Sequence, residues 1–262
     1  MFSDFIPNPI AFSIFGIDVR WYGILIALGM AIAVFITYKR APKHGIEADR
    51  VFDFVIVAIP AGIVGARLYY IVFRWSDYAG NFRKMLDIRG GGLAIHGGLI
   101  FAMIAVFILC RHYKVKPAEA FDCAVPSIAL AQAIGRWGNY FNSEAHGGPT
   151  DLPWGIPVNG QMVHPTFLYE SLWCLMLFFL LSRVDNRRSF PWQTTLLYVI
   201  LYSLERFFVE GLRTDSLMLG SLRQAQLLSA CCFVFGLILY LVMMKKHRLS
   251  SSNEEEKLQE NK

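Results

Sequence analysis

The chain has 262 residues, of which 55% are hydrophobic and only 17% charged, against about a quarter charged in soluble domains. Mean hydropathy is positive and apolar runs of membrane-span length recur throughout. The reading is therefore an all-α polytopic membrane protein, not the two soluble domains that length alone suggests. The net charge of +5 requires no nucleic-acid partner, because basic residues flanking apolar spans account for it.

The opening stretch, "MFSDFIPNPIAFSIFGIDVRW", does not read as a signal peptide: it lacks a basic n-region and carries Asp4, Pro7 and Pro9. Seven spans are then predicted, near 20–38, 51–73, 94–110, 118–135, 165–182, 190–210 and 224–244. No internal repeat is found. The tail over 249–262 is polar and charged and is expected to be disordered. Basic residues are richer in the segments after the first, third, fifth and seventh spans. The positive-inside rule places those segments in the cytoplasm, with the N-terminus outside and the C-terminus inside. Five cysteines without CxxC spacing read as apolar packing residues.

This orientation sorts the unusual residues. "VRWYG" (19–23) falls at the outer end of the first span. "RGGGLAIHGGL" (89–99) marks the outer entry of the third, with His96 just inside. "GRWGNYFNSEAHGG" (135–148) is the outer end of the fourth, and "HPTFLYE" (164–170) opens the fifth. Tyr202, Arg206, Glu210 and Arg213 occupy the outer half of the sixth. Polar residues from separate spans thus arrive at one membrane level, as a site between helices requires.

Charges within spans are costly. Arg67, Arg206 and Glu210 lie in apolar runs. Arg67 reads as one half of a buried structural ion pair. Arg206 reads as functional, because Tyr202 precedes it by four residues on the same helix face. Gly91 and Gly92 suit an irregular backbone approach, whereas Gly62 and Gly65 suit close helix packing.

Two outward-facing guanidinium groups, Arg136 and Arg206, suit an anionic group at headgroup depth, since the planar fork binds phosphate bidentately. Asn139, Asn142 and Glu144 could orient them or bind lipid hydroxyls. His96 is the best proton acceptor of the set, because imidazole titrates near neutral pH. The six histidines are dispersed and HExxH is absent, so no metal site is expected. No GxSxG supports a serine hydrolase. The alternative reading is a transporter or flippase for an anionic lipid or metabolite. Such proteins usually hold their charges near the midplane and often show repeats.

The motifs also carry a resemblance. "GRWGNYFNSEAHG" resembles the signature of bacterial prolipoprotein diacylglyceryl transferases. "VRWYG", "GGLAIHGGL", "HPTFLYE" and "YSLERFFVEGLR" extend the likeness along the whole chain. The resemblance implies transfer of the diacylglyceryl group of phosphatidylglycerol to the lipobox cysteine in a prolipoprotein signal peptide, with release of glycerol phosphate. It implies seven spans in one membrane-embedded catalytic domain over 1–248, with an outer head region over 138–164. It implies the bacterial cytoplasmic membrane, a site facing the outer leaflet, membrane lipid as partner, and no metal or organic cofactor. On this reading the catalytic candidates are His96, Arg136, Tyr202 and Arg206. The substrate-binding candidates are Tyr22, Arg136, Asn139, Glu144, Gly147, Glu210 and Arg213. The acceptor peptide follows from the resemblance alone.

Overall fold

The computed structural model describes the backbone of residues 7–88, 91–214, 216, 218–220 and 222–260, with side chains to residue 252. A hairpin of β1 (Ile10–Ile14) and β2 (Ile17–Arg20) leads directly into helix α1 (Trp21–Arg40), and a 3-10 turn follows over Ala41–His44. Helix α2 (Arg50–Phe73), the short α3 (Trp75–Tyr78) and α4 (Phe82–Leu86), α5 (Ile95–His112) and α6 (Pro117–Phe141) come next. A second hairpin of β3 (Ile156–Val158) and β4 (Gln161–Val163) precedes α7 (Thr166–Asp185) and α8 (Gln193–Leu212). A small hairpin of β5 (Met218–Leu219) and β6 (Leu222–Arg223) opens onto α9 (Gln224–Glu260).

Seven long helices thus occupy the seven predicted stretches. Among the described residues, five stretches are long and apolar enough to cross a membrane: 21–44, 50–73, 95–112, 166–185 and 224–252. The exceptions are α6 and α8, which carry Glu119, Asp122 and Arg136, and Glu205, Arg206 and Glu210. The chain is an all-α membrane protein, and the two long helices outside that apolar set hold the polar residues of interest. Helix α9 continues into the polar stretch from 249 as far as Glu260, with no Gly or Pro to interrupt it.

The chain divides into two compact units, residues 36–120 and residues 1–35 with 121–262. In the smaller, α2 and α5 pack through glycines. A side chain on Gly65 would overlap Phe101 and the Gly97 carbonyl, and one on Gly97 would overlap Tyr69. Small residues let two backbones approach where apolar helices meet. Gly97→Val is expected to destabilise the protein by about 1–3 kcal/mol through forced backbone shifts. Its thermal transition in detergent should fall by several degrees, and an unchanged transition would refute the close packing.

Arg67 lies in the same unit and corrects an expectation. It is buried, but its partners are backbone carbonyls, not an acidic side chain. Nε donates to Met85 O (2.9 Å), Nη1 to Gly91 O (2.6 Å) and Gly92 O (3.0 Å), and Nη2 to Lys84 O (2.6 Å). The last carbonyls of a helix lack intrahelical donors, and α4 supplies two of these acceptors. Gly91 and Gly92 have positive φ, and a Cβ on Gly92 would lie 2.6 Å from Arg67 Nη1. The irregular glycine backbone therefore wraps this arginine.

In the larger unit, Ala129, Leu177 and Leu181 form a buried centre lined by Trp173, Leu197 and Tyr198. Asp122, fully buried on α6, accepts from Thr195 N (2.8 Å) and Thr195 Oγ1 (2.6 Å) and pairs with Arg188 (3.2 Å). It thereby satisfies one of the free amides in the first turn of α8. Gly29 of α1 lies against the Ala131 backbone of α6.

Candidate active site

Three helices of the larger unit converge on one carboxylate. Glu170, in the second turn of α7, is 1% exposed. Its Oε1 lies 3.0 Å from Arg136 Nη2 on α6 and accepts from Arg206 Nη1 on α8 at 2.7 Å. Arg206 Nη2 donates to Glu210 Oε2 at 2.6 Å, one helical turn further along. Arg136 Nη2 donates to Tyr202 Oη at 3.2 Å. Tyr202 stacks on Tyr198 with ring centroids 5.5 Å apart, and Tyr198 donates to Gln132 at 2.8 Å. Arg206 thus commits two nitrogens to two carboxylates. Arg136 shares a single nitrogen between Glu170 and Tyr202 and keeps more donor capacity.

Arg136 is positioned by its neighbours on α6. Trp137 Nε1 donates to Ser171 Oγ (3.1 Å), which donates to Ala133 O (2.8 Å). This fastens α6 to α7 one residue away from Arg136. Tyr22 on α1 packs against Gly138: a Cβ there would lie 2.6 Å from Tyr22 Cδ2. The adjacent Trp21 stacks on Phe141 at 5.2 Å. Tyr22 therefore borders the same end of α6.

Beyond α6 the chain turns through a strained loop. Ser143 and Ala145 both have positive φ, which costs about 1–2 kcal/mol per residue outside glycine. Three interactions hold it. Glu144 Oε1 accepts from Asn139 Nδ2 (3.0 Å) and Asn142 Nδ2 (3.2 Å), and Thr166 Oγ1 donates to Ala145 O. Such strain persists only where surroundings over-determine it. Gly147 then bridges Arg213, and its amide donates to His164 O at 2.9 Å. Gly148 N donates to Leu212 O at 2.9 Å. A Cβ on Gly147 would come within 2.7 Å of His164 Cβ, so only glycine fits. Asn139, Glu144 and Gly147 thus shape the loop that joins α6 to the ends of α7 and α8. Arg223 Nη1 donates to Glu210 O at 2.6 Å, closing the far end of α8.

Nine of the ten sequence-predicted site residues fall in this unit: Tyr22, Arg136, Asn139, Glu144, Gly147, Tyr202, Arg206, Glu210 and Arg213. His96 belongs to the other unit. It is exposed in the first turn of α5, with its ring 6.3 Å from that of Tyr69. Glu170 escaped the sequence reading. It meets the criterion that singled out Arg206, a charge inside an apolar run, and "HPTFLYE" ends on it. Glu205, next to Arg206 but off its helix face, is likewise absent from the predicted site residues. It is buried on α8, with both carboxylate oxygens lacking a hydrogen-bond partner. Among the described residues, no group of three or more His, Cys, Asp or Glu is placed to hold a metal ion.

Comparison with known proteins identifies the relatives of this arrangement. The family model described as prolipoprotein diacylglyceryl transferase matches residues 9–242. A phosphatidylglycerol–prolipoprotein diacylglyceryl transferase of Clostridioides difficile (strain 630) is 48% identical over 247 residues, covering 94% of this chain and 100% of the relative. One from Finegoldia magna is 50% identical over 240 residues, covering 91% and 97%. One from Clostridium novyi (strain NT) is 48% identical over 244 residues, covering 89% and 95%. These matches lend no support to the transporter reading. Matches of this length and identity establish that the chain belongs to the prolipoprotein diacylglyceryl transferase family.

Proposed function

We propose that this chain transfers the diacylglyceryl group of phosphatidylglycerol to the lipobox cysteine of prolipoproteins, the first step of lipoprotein maturation. The observation that carries the reading is the pair of guanidinium groups, Arg136 and Arg206, brought to one buried carboxylate by three helices in a member of this family. In the reaction, the cysteine thiolate attacks the glyceryl carbon that bears the phosphate ester. A carbon–sulfur bond forms, the carbon–oxygen bond breaks, and its electron pair leaves on glycerol phosphate. Charge builds on that phosphate, and a preorganised guanidinium in a low-dielectric setting stabilises it. Arg136 binds the phosphate through its uncommitted donors. Glu170 and Tyr202 fix its orientation, and Arg206 is held by Glu170 and Glu210 as the second cation. The loop over 142–148 walls the headgroup, with Tyr22 and Arg213 at its edges.

The same proposal sets the chain in the bacterial cytoplasmic membrane with seven spans, α6 and α8 included. The N-terminus is outside, the C-terminus cytoplasmic, and residues 138–164 form an outer head region. The excess of basic residues after alternate spans supports this orientation. The test is purified protein in phosphatidylglycerol vesicles with a lipobox peptide, read by mass spectrometry. The peptide should gain one diacylglyceryl mass, and a Cys→Ser peptide should gain none. A peptide that stays unmodified under these conditions refutes the assignment.

His96 is assigned as acceptor of the thiol proton. Its exposure at the start of α5 leaves the imidazole open to a substrate, and thiolate is the reactive form. His96→Gln should then depend on unaided ionisation of the peptide thiol. Its rate should climb roughly tenfold between pH 7 and 8.5, towards the thiol's own pKa, while the wild type changes less. Parallel profiles for variant and wild type would remove His96 from this role.

A further inference from the structure

The β1–β2 hairpin is two-faced. Its register pairs Phe12 with Val19, Ser13 with Asp18, and Ile14 with Ile17. Directly opposed residues share a face, and faces alternate along each strand. One face therefore carries Phe12, Ile14, Ile17 and Val19. The other carries Ser13 and Asp18, joined by a 2.6 Å hydrogen bond from Ser13 Oγ to Asp18 Oδ1. The turn residues, Phe15 and Gly16, have φ of 50° and 77°. Positive φ at both positions is what a type I′ hairpin turn requires, and Asn-Gly or Gly-Gly supplies it with least strain. A phenylalanine there works against its own backbone preference. Its ring gains no cover from the described residues in return: Phe15 is 101% exposed, and Ile17 is 71% exposed. A strained aromatic residue at an uncovered tip points to a contact outside the chain.

Connectivity identifies that contact. Arg20 ends β2 and Trp21 begins α1 with no linker between them, and α1 is one of the five stretches apolar enough to cross a membrane. The hairpin is therefore tethered at the membrane surface. Strands of four and five residues reach only about 13–17 Å. We propose that the hairpin is a membrane-interface anchor. Phe15 and the face of Phe12, Ile14 and Ile17 lie in the lipid at the acyl–headgroup boundary, while Ser13 and Asp18 face water. This inference rests on membrane residence and is independent of the transfer reaction.

The test places an environment-sensitive fluorophore at Phe15→Cys or Asp18→Cys, with Cys231 and Cys232 replaced by alanine. The full-length protein is reconstituted in phosphatidylglycerol–phosphatidylcholine vesicles. Thermal unfolding in detergent confirms that each labelled protein is folded. Lipids brominated near the headgroup should quench the Phe15 label at least about threefold more strongly than the Asp18 label, and aqueous iodide should show the reverse order. Equal access of iodide to both labels overturns the proposal. Shielding of Phe15 that appears only with added lipobox peptide, or only at high protein-to-lipid ratio, also overturns it, in favour of a peptide or a second copy.

Discussion

Glu170→Gln is expected to cause the largest loss of any single change in the charged cluster. The substitution keeps the side-chain volume but removes the negative charge that Arg136 and Arg206 share. Two guanidinium groups then face one another across a neutral amide, in a place where Glu170 is almost wholly shielded from water. The amide nitrogen also gains two donors at or near the position of Oε2, where the carboxylate has no hydrogen-bond partner. Removing one partner of a buried ion pair typically costs about 3–5 kcal/mol. The folded protein should therefore melt markedly lower in detergent. Transfer by the fraction that remains folded should drop by at least about 100-fold, roughly 2.7 kcal/mol in barrier, because Arg136 loses the group that orients it. Wild-type turnover by a folded Glu170→Gln protein would show that the shared carboxylate orients nothing of consequence.

Arg136→Lys is expected to be the second largest. Lysine preserves the charge but not the planar fork, and its ammonium cannot address Glu170, Tyr202 and a phosphate from one rigid plane. The wild-type Arg136 contacts Glu170 and Tyr202 through a single nitrogen, which leaves its other donors for ligand. Transfer should fall by at least about tenfold, roughly 1.4 kcal/mol, with much less effect on thermal stability than Glu170→Gln. That contrast separates the two roles, since a purely structural Arg136 would lose stability and activity together. A folded Lys variant with unchanged turnover would take Arg136 out of phosphate binding.

These two residues also show how far the sequence could be read. Arg136 stood out because a polar cluster follows an apolar run, and Arg206 because a guanidinium inside a span needs a partner. Helical spacing brought Glu210 to Arg206, one turn away, and their 2.6 Å contact is local geometry. Glu170 is 34 and 36 positions from its two partners, and no periodicity encodes how α6, α7 and α8 meet. Its presence in an apolar run was a usable signal for a buried charge, though not for which arginines it serves. Arg67 was legible as buried and structural. Its true acceptors were not, because carbonyls at a helix end and in a glycine turn have no side-chain signature. Gly147 was identified from the signature. The reason for it, contact with His164 and Leu212, belongs to tertiary packing alone.

Phosphatidylglycerol is expected to present its phosphate to Arg136, near the ends of α6 and α8. The most direct measurement is photocrosslinking in vesicles, with phosphatidylglycerol carrying a photoreactive group on its headgroup glycerol, followed by proteolysis and mass spectrometry. Adducts are expected within residues 136–147 and 202–213, with yields that fall in Arg136→Lys. Adducts confined to other segments, with yields that Arg136→Lys leaves unchanged, would contradict the account.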